Sequence, residues 1–230
     1  MNVSEIFFSL QGEGRLAGVP AVFVRLAGCD LRCRWCDTPY ALEASQGQTK
    51  SVEEVLQEIG KYDCRYVVVT GGEPLKDKEL PGLLNALAQM DKHVTVETVA
   101  GSYQEIVCNL ISISPKLSNA LPKGNEADHK SQVYQVNIAA IREYIKCYDY
   151  QLKFVVESAE DLAEIEDVLQ ELGSGEPTPI DRNKVFLMPQ AKTQQQHSQL
   201  GPQVAQMCLD KGYRYGPRLQ IELWGNQRGK

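Results

Sequence analysis

Cys29, Cys33 and Cys36 are spaced C-x3-C-x2-C in the stretch Gly28-Cys29-Asp30-Leu31-Arg32-Cys33-Arg34-Trp35-Cys36-Asp37-Thr38. The apolar run Ala21 to Ala27 feeds directly into it, so the cysteines belong to a short loop where a strand ends. Three thiolates can hold three irons of a 4Fe–4S cube and leave the fourth iron open to another ligand. Zinc, or plain core cysteine, is the competing reading. A structural zinc site takes four ligands in two closely spaced pairs. Here Cys64 stands alone, and His93, His129 and His197 are scattered without H-x3–5-H spacing, so the second pair is missing.

A second motif, Val67-Val68-Val69-Thr70-Gly71-Gly72-Glu73-Pro74, follows about one βα unit later. The β-branched run reads as a buried parallel strand broken by the glycine pair. Two glycines let backbone amides and carbonyls approach a ligand closely, and Pro74 then opens the next helix. Alone, this is a common strand-to-helix turn. In order after the cysteine loop, it resembles the radical S-adenosylmethionine superfamily. That resemblance implies an open iron chelated by the amino and carboxylate groups of S-adenosylmethionine, with the Gly-Gly turn holding the methionine amine.

Other elements must carry these loops. Strands are expected at Val3–Phe8, Ala21–Ala27, Tyr66–Thr70, His93–Glu97, Leu110–Ser114, Leu152–Val156, Lys184–Met188 and Leu219–Leu223. Amphipathic helices are expected at Ser51–Lys61, Lys78–Met90, Asn137–Cys147, Ala159–Leu172 and Gln195–Lys211. Ser51 with Glu54 makes a capping box, and Ser158 before Asp161 a weaker start signal. Alternation of strand and helix implies an α/β fold with a parallel sheet. The cysteine loop, the Gly-Gly turn, Glu97-Thr98, Ser114-Pro115-Lys116 and Met188-Pro189-Gln190 all follow strands, where barrels and open α/β sheets build sites. Periodicity cannot separate those two; the superfamily resemblance implies a partial (β/α) barrel with an N-terminal hairpin-like extension. Pro115–Gln135 is too long for an ordinary βα connection, so a lid and a plain surface loop are both open. Gly173–Asn183 reads as a surface loop.

At 230 residues the chain can bury one substantial core, and residues 1–230 are read as a single catalytic domain. A net charge of −6 offers no basic footprint for nucleic acid. No apolar stretch reaches the ~20 residues of a membrane span. Met-Asn-Val-Ser-Glu at the start lacks a basic n-region and an apolar h-region, so no secretory signal is expected. Seven cysteines with a reactive triplet argue for a reducing compartment, and the cytoplasm is expected.

The segment Ile6-Phe7-Phe8-Ser9-Leu10-Gln11-Gly12-Glu13-Gly14, the run Gly18-Val19-Pro20-Ala21-Val22-Phe23-Val24-Arg25-Leu26, and the tail Leu223-Trp224-Gly225-Asn226-Gln227-Arg228-Gly229 narrow the resemblance. With Cys33-Arg34-Trp35-Cys36-Asp37-Thr38 they are similar to the 7-carboxy-7-deazaguanine synthase family, from Val3 onward. That family converts 6-carboxy-5,6,7,8-tetrahydropterin into 7-carboxy-7-deazaguanine and ammonium, on the route to queuosine. The resemblance implies a lyase with a 4Fe–4S cluster, S-adenosylmethionine and Mg²⁺. It also implies an electron donor such as flavodoxin or ferredoxin, and a homodimer.

Cys29, Cys33 and Cys36 match the cluster ligands, and Thr38 a Mg²⁺-binding position; Thr38 could equally cap the turn before Pro39. Leu10, Gln11, Gly12 and Glu13 match the pterin-recognising turn, where an amide and a carboxylate can read a guanidine-like N–H edge. An ordinary Gly-rich hairpin is the alternative. Arg25 lies inside an apolar strand, where an unpaired charge is costly. Bidentate pairing with the substrate carboxylate and a structural salt bridge both fit, and the family match favours the substrate. Thr70 matches a substrate contact. Trp35, Cys36, Asp37, Gly72 and Glu73 match S-adenosylmethionine contacts, as do Ser114, Pro115, Lys116, Met188, Pro189, Gln190 and Ala191. The chain departs from the family at Gln220, where a histidine is frequent, and in its Arg228-Gly229-Lys230 tail.

Two other classes share parts of the pattern. A glycyl-radical-activating enzyme has the cysteine loop and Gly-Gly-Glu-Pro turn but acts on a protein backbone; Gln11, Glu13, Arg25 and Thr38 together speak against it. A non-catalytic metal-binding module would hold one zinc rather than four irons.

Overall fold

The computed structural model describes residues 1–122, 135–177 and 179–230. Most of Pro115–Gln135, where a lid was one reading, therefore lies outside the described residues.

Among the described residues, nine strands form one sheet: β1 (Asn2–Leu10), β2 (Pro20–Leu26), β3 (Gln48–Thr49), β4 (Tyr66–Gly71), β5 (His93–Thr98), β6 (Leu110–Ile113), β7 (Tyr150–Val156), β8 (Val185–Pro189) and β9 (Arg214–Tyr215). Their order is β3-β1-β2-β4-β5-β6-β7-β8-β9. β1 pairs antiparallel with β2, which is the expected hairpin, and from β2 onward every neighbour is parallel. β3 and β9 stay as free edges, so the barrel is partial and open.

Alternation along each strand sorts side chains onto two unlike faces. Val22, Val24 and Leu26 of β2, Val67 and Val69 of β4, Val94 and Val96 of β5, and Leu152, Phe154 and Val156 of β7 share one large core. α1 (Val52–Ile59), α2 (Leu80–Gln89), α3 (Ile138–Cys147), α4 (Ala159–Gly173) and α5 (Gln194–Lys211) add their apolar stripes to that same core. The opposite face carries Arg25, Thr70, Thr95, Glu97, Ser112, Gln151 and Lys153, none of which belongs to that core. Helices thus cover one side, and the polar side is left for chemistry.

Local signals set the helix ends. Ser51 Oγ accepts the Glu54 N–H at 3.2 Å, and Glu54 accepts the Ser51 N–H at 2.7 Å, closing the capping box of α1. Asp161 accepts the Ser158 N–H at 3.0 Å at the start of α4. No helix among the described residues is long and apolar enough to cross a membrane.

One expected element is wrong. Leu219–Leu223 is not a strand but part of the short helix α6 (Leu219–Trp224). Its Leu-Gln-Ile-Glu-Leu alternation mimics a strand, yet only Ile221 is buried in it. The place beside β8 is taken by Arg214–Tyr215, and the chain then turns back over the sheet. Gly225, in the left-handed region at φ 65°, stops the helix by donating its N–H to the Ile221 carbonyl at 2.9 Å.

Candidate active site

The cysteine loop leaves β2 and is clamped by backbone at several points. Gly28 and Cys29 donate their N–H groups to the Ala41 and Leu42 carbonyls at 2.8 and 2.9 Å. Glu73, just after β4, donates its N–H to the Gly28 carbonyl at 2.8 Å. Gly72 makes this approach possible: a Cβ there would lie 2.3 Å from the Gly28 oxygen and 2.9 Å from the Ala41 oxygen. The two motifs are thus one backbone-to-backbone unit. Trp35 donates its indole N–H to the Asn119 carbonyl at 3.0 Å, pinning the far side of the loop.

Cys29, Cys33 and Cys36 are free thiols, and all three line one cavity. Burial pushes the Cys33 thiol up to about 11, with Cys36 and Cys29 adding to the rise. Burial likewise raises Cys29. Each thiolate of a cube meets its own iron, so they need not converge on one point. Among the described residues, no three Cys, His, Asp or Glu side chains converge tightly enough for a single ion. Three thiols on one loop fit three irons of a 4Fe–4S cube whose fourth iron is left open.

The β1–β2 connection crosses the polar face of the sheet. Gln11 and Gly18 close its base through Gln11 N–H to Val19 and Gly18 N–H to Gln11 carbonyl bonds, both 2.8 Å. Its tip is pinned far away on β7, where Arg15 donates its N–H to Gln151 Oε1 at 2.9 Å. Gly14, at φ 70°, is required there, because a Cβ would lie 2.2 Å from the Gln151 amide nitrogen. Leu219 of α6 donates its N–H to the Gly12 carbonyl at 3.1 Å. This floor delivers Glu13 into a buried charge cluster.

Lys153 Nζ lies 3.0 Å from Glu13 Oε2 and 2.9 Å from Glu97 Oε1. Arg218 Nε lies 3.2 Å from Glu13 Oε1, and its Nη2 lies 2.6 Å from Asp37 Oδ2. Gln220 Nε2 donates to Glu13 Oε1 at 2.8 Å, and Gln11 Nε2 to Glu97 Oε1 at 3.3 Å. Burial opposes ionisation of Glu13, yet Lys153 and Arg218 overcome it and hold the carboxyl far below the usual range. Burial likewise opposes the Lys153 charge, and Glu97 with Glu13 raises that pKa instead. A leucine at 153 would contribute about 1.5–3 kcal/mol by burial, whereas desolvating ions costs several kcal/mol each. The cluster is therefore an expensive choice for a fold and a useful one for a polar ligand.

At the other wall, Glu5 Oε1 accepts from Arg25 Nε at 2.7 Å and from the Tyr40 hydroxyl at 2.9 Å. Arg228, from the tail, reaches Glu5 Oε2 at 3.1 Å and stacks 4.3 Å over the Tyr40 ring. Phe7 and Phe23 stack at 4.9 Å beneath them.

The cavity gathers Leu10, Gln11, Gly12, Glu13, Arg25, Trp35, Cys36, Asp37, Thr38, Thr70, Gly72, Ser114, Lys116 and Met188 with the cysteines. Glu73, Pro115, Pro189, Gln190 and Ala191 are not part of its lining. The Glu73 carboxylate is instead used on the Thr98 hydroxyl (2.6 Å) and the Val99 (2.8 Å) and Leu75 (3.1 Å) N–H groups. Ala191 offers its carbonyl to Arg218 Nη1 at 2.8 Å. Lys153, Arg218 and Tyr40, which the sequence does not single out, line the cavity too, as does Glu97, expected only as a polar residue at the end of a site strand. A lysine inside Tyr150–Val156 carries the same signal as Arg25 in β2, a charge within an apolar strand; Arg218 has no such mark.

The radical SAM superfamily model matches residues 24–169, spanning the cysteine loop, the Gly-Gly turn and the sheet to α4. The 7-carboxy-7-deazaguanine synthase of Halobacterium salinarum is 38% identical over 98% of this chain and 91% of its own length. This chain belongs to the 7-carboxy-7-deazaguanine synthase family. The family's enzyme from Rhodopirellula baltica is 37% identical over 99% of this chain and 88% of its own. The crystal structure of QueE from Escherichia coli superposes with a TM-score of 0.70 at 26% identity, covering 94% of this chain and 92% of that one. Near-full coverage extends the 7-carboxy-7-deazaguanine synthase match to the β1–β2 connection and to α6, both outside the superfamily model.

Proposed function

We propose that this chain catalyses the radical ring contraction of 6-carboxy-5,6,7,8-tetrahydropterin to 7-carboxy-7-deazaguanine with loss of ammonia, in 7-deazapurine and queuosine biosynthesis. One observation carries the reading: the three thiols share their cavity with a cation at one wall and carboxylates at the other. The substrate is complementary, with a carboxylate at one end and a guanidine-like N–H edge at the other. Arg25, held through Nε by Glu5, binds the carboxylate with its Nη groups. Glu13, with Gln11 beside it, accepts from the N–H edge. Arg25 lies on β2, the strand that runs into the cysteine loop, so this orientation brings the carboxylate-bearing C6 to the cysteine side.

Cys29, Cys33 and Cys36 would hold the 4Fe–4S cluster. Trp35 to Asp37, Gly72, Ser114, Lys116 and Met188, which line the cavity, would hold S-adenosylmethionine, and Thr38 a Mg²⁺ ion. When bound, the reduced cluster and S-adenosylmethionine would supply the radical chemistry for taking and returning a hydrogen, and Mg²⁺ would supply only charge. Phe7 and Phe23 keep water from the ring. Thr70 completes the contact to substrate. We take the 230 residues as one catalytic domain, working in the cytoplasm as a homodimer that receives its electron from a flavodoxin or ferredoxin.

Anaerobic turnover tests the reading: cluster-reconstituted protein, dithionite, Mg²⁺, S-adenosylmethionine and 6-carboxytetrahydropterin, with products read by mass spectrometry. Appearance of 7-carboxy-7-deazaguanine, dependent on Cys33 and without matching consumption of S-adenosylmethionine, is expected. Slow 5′-deoxyadenosine with no deazaguanine would mean a different substrate.

A further inference from the structure

We propose that Lys153 is a positioning residue for substrate recognition, holding Glu13 and Glu97 side by side as a double acceptor for the amino-pyrimidinone edge of the pterin. The inference rests on the pterin reading above and extends it to a residue that never has to touch the substrate.

The two carboxylates come from unrelated parts of the chain, Glu13 from the β1–β2 connection and Glu97 from the end of β5. One nitrogen, Lys153 Nζ, lies within 3.0 Å of both. Without a cation between them, two half-buried carboxylates would repel and separate. The groups facing this ammonium come from every neighbouring element: Gln11 and Glu13 from the connection, Glu97 from β5, Arg218 and Gln220 at α6, and beyond Arg218 the Asp37 carboxylate. Arg218 neutralises Glu13 and Asp37 and makes no bond to Glu97 among the described residues. Glu97 therefore depends on Lys153 alone for a cation.

The remaining valences match the ligand. Glu13 Oε1 is used by Arg218 and Gln220, which fixes that carboxylate in the plane they define. Glu97 Oε2 has no hydrogen-bond partner among the described residues, and Glu97 lines the cavity. A 2-amino-4-oxopyrimidine presents adjacent N–H donors on one edge, and ionised carboxylates are acceptor-only groups that can take them. Lysine suits this task because its ammonium donates in three directions from one point.

The test compares Lys153→Met, Lys153→Arg, Glu97→Gln and the double variant K153M/E97Q in cluster-loaded enzyme. In K153M the substrate KM should rise about tenfold or more at pH 7 with a much smaller change in kcat. Lys153→Arg should restore most of the affinity. If K153M alone folds poorly, the double variant removes the stranded charge, and its KM should be no worse than that of E97Q alone. An unchanged KM in K153M, an equal loss in kcat, no rescue by Lys153→Arg, or strictly additive effects in the double variant would each overturn the proposal. Failure of wild type to make deazaguanine would instead overturn the pterin reading, and this inference with it.

Discussion

Glu5 and Arg25 form a half-used fork. Glu5 takes only the Nε proton of Arg25, at 2.7 Å, while the same carboxylate also holds Arg228 and the Tyr40 hydroxyl. Burial works against the Arg25 charge, and Tyr40 and Glu5 more than offset it. The fork is oriented by one acid and left open for another.

Arg25→Lys keeps the charge but loses that geometry. Loss of one charge-assisted bond, about 1.5–3 kcal/mol, corresponds to roughly ten- to hundredfold in affinity. KM for 6-carboxytetrahydropterin should rise by that factor with the visible absorbance of the cluster intact. Unchanged turnover at limiting substrate would remove Arg25 from the substrate site.

Gly72→Ala should damage both motifs at once. The added methyl meets backbone, not a movable side chain: the Gly28 carbonyl at 2.3 Å and that of Ala41 at 2.9 Å. Overpacking of this kind costs about 1–3 kcal/mol. Thermal unfolding should come several degrees earlier and iron per chain should drop, because the displaced segment carries Cys29. Full iron content at wild-type melting temperature would show that the two loops are not coupled.

Acid should reveal the Glu13 cluster. Lys153 and Arg218 lower the folded pKa of Glu13 below its unfolded value, near 4.3 for a free glutamate. Its contribution to stability is complete above that value and is lost as pH falls toward the folded pKa. Urea midpoints measured from pH 6 to 3 should fall more steeply for wild type than for Glu13→Gln. Parallel curves would mean that Glu13 is not held ionised by the fold.

Thr38 offers a narrower test of the metal. It lines the cavity two residues after Cys36, its Oγ1 3.9 Å from that sulfur. Thr38→Ser should keep the Mg²⁺ stimulation of turnover, and Thr38→Val should abolish it, since only the hydroxyl can serve a hard cation. Equal stimulation in both variants would move the ion elsewhere.

The parts of the site that read directly from sequence are local. Cys29 to Cys36 and Thr70 to Pro74 each fit within one loop, and the alternation of strands and helices is carried by periodic apolar residues. Lys153 is marked by its type within an apolar strand, but its partners are not, because nothing in Glu13 or Glu97 points across the sheet. Arg218 follows Gly216-Pro217, and the strand expected just beyond hides that α6 folds back over the cavity. Alternation over five residues is too short to separate a strand from a turn and a half of helix.

The crossing of the β1–β2 connection sets a timetable. Glu13 meets Lys153 across 140 positions and Arg218 across 205. Contacts so distant cannot form until the distal residues have been synthesised, and they carry a loop-closure cost. A ribosome-bound chain can therefore present the cysteine loop and the Gly-Gly turn together while the substrate chamber still has no floor. Iron loading and substrate binding are thus separable in time, and iron arriving early would meet thiols in a chain that has not yet closed around them.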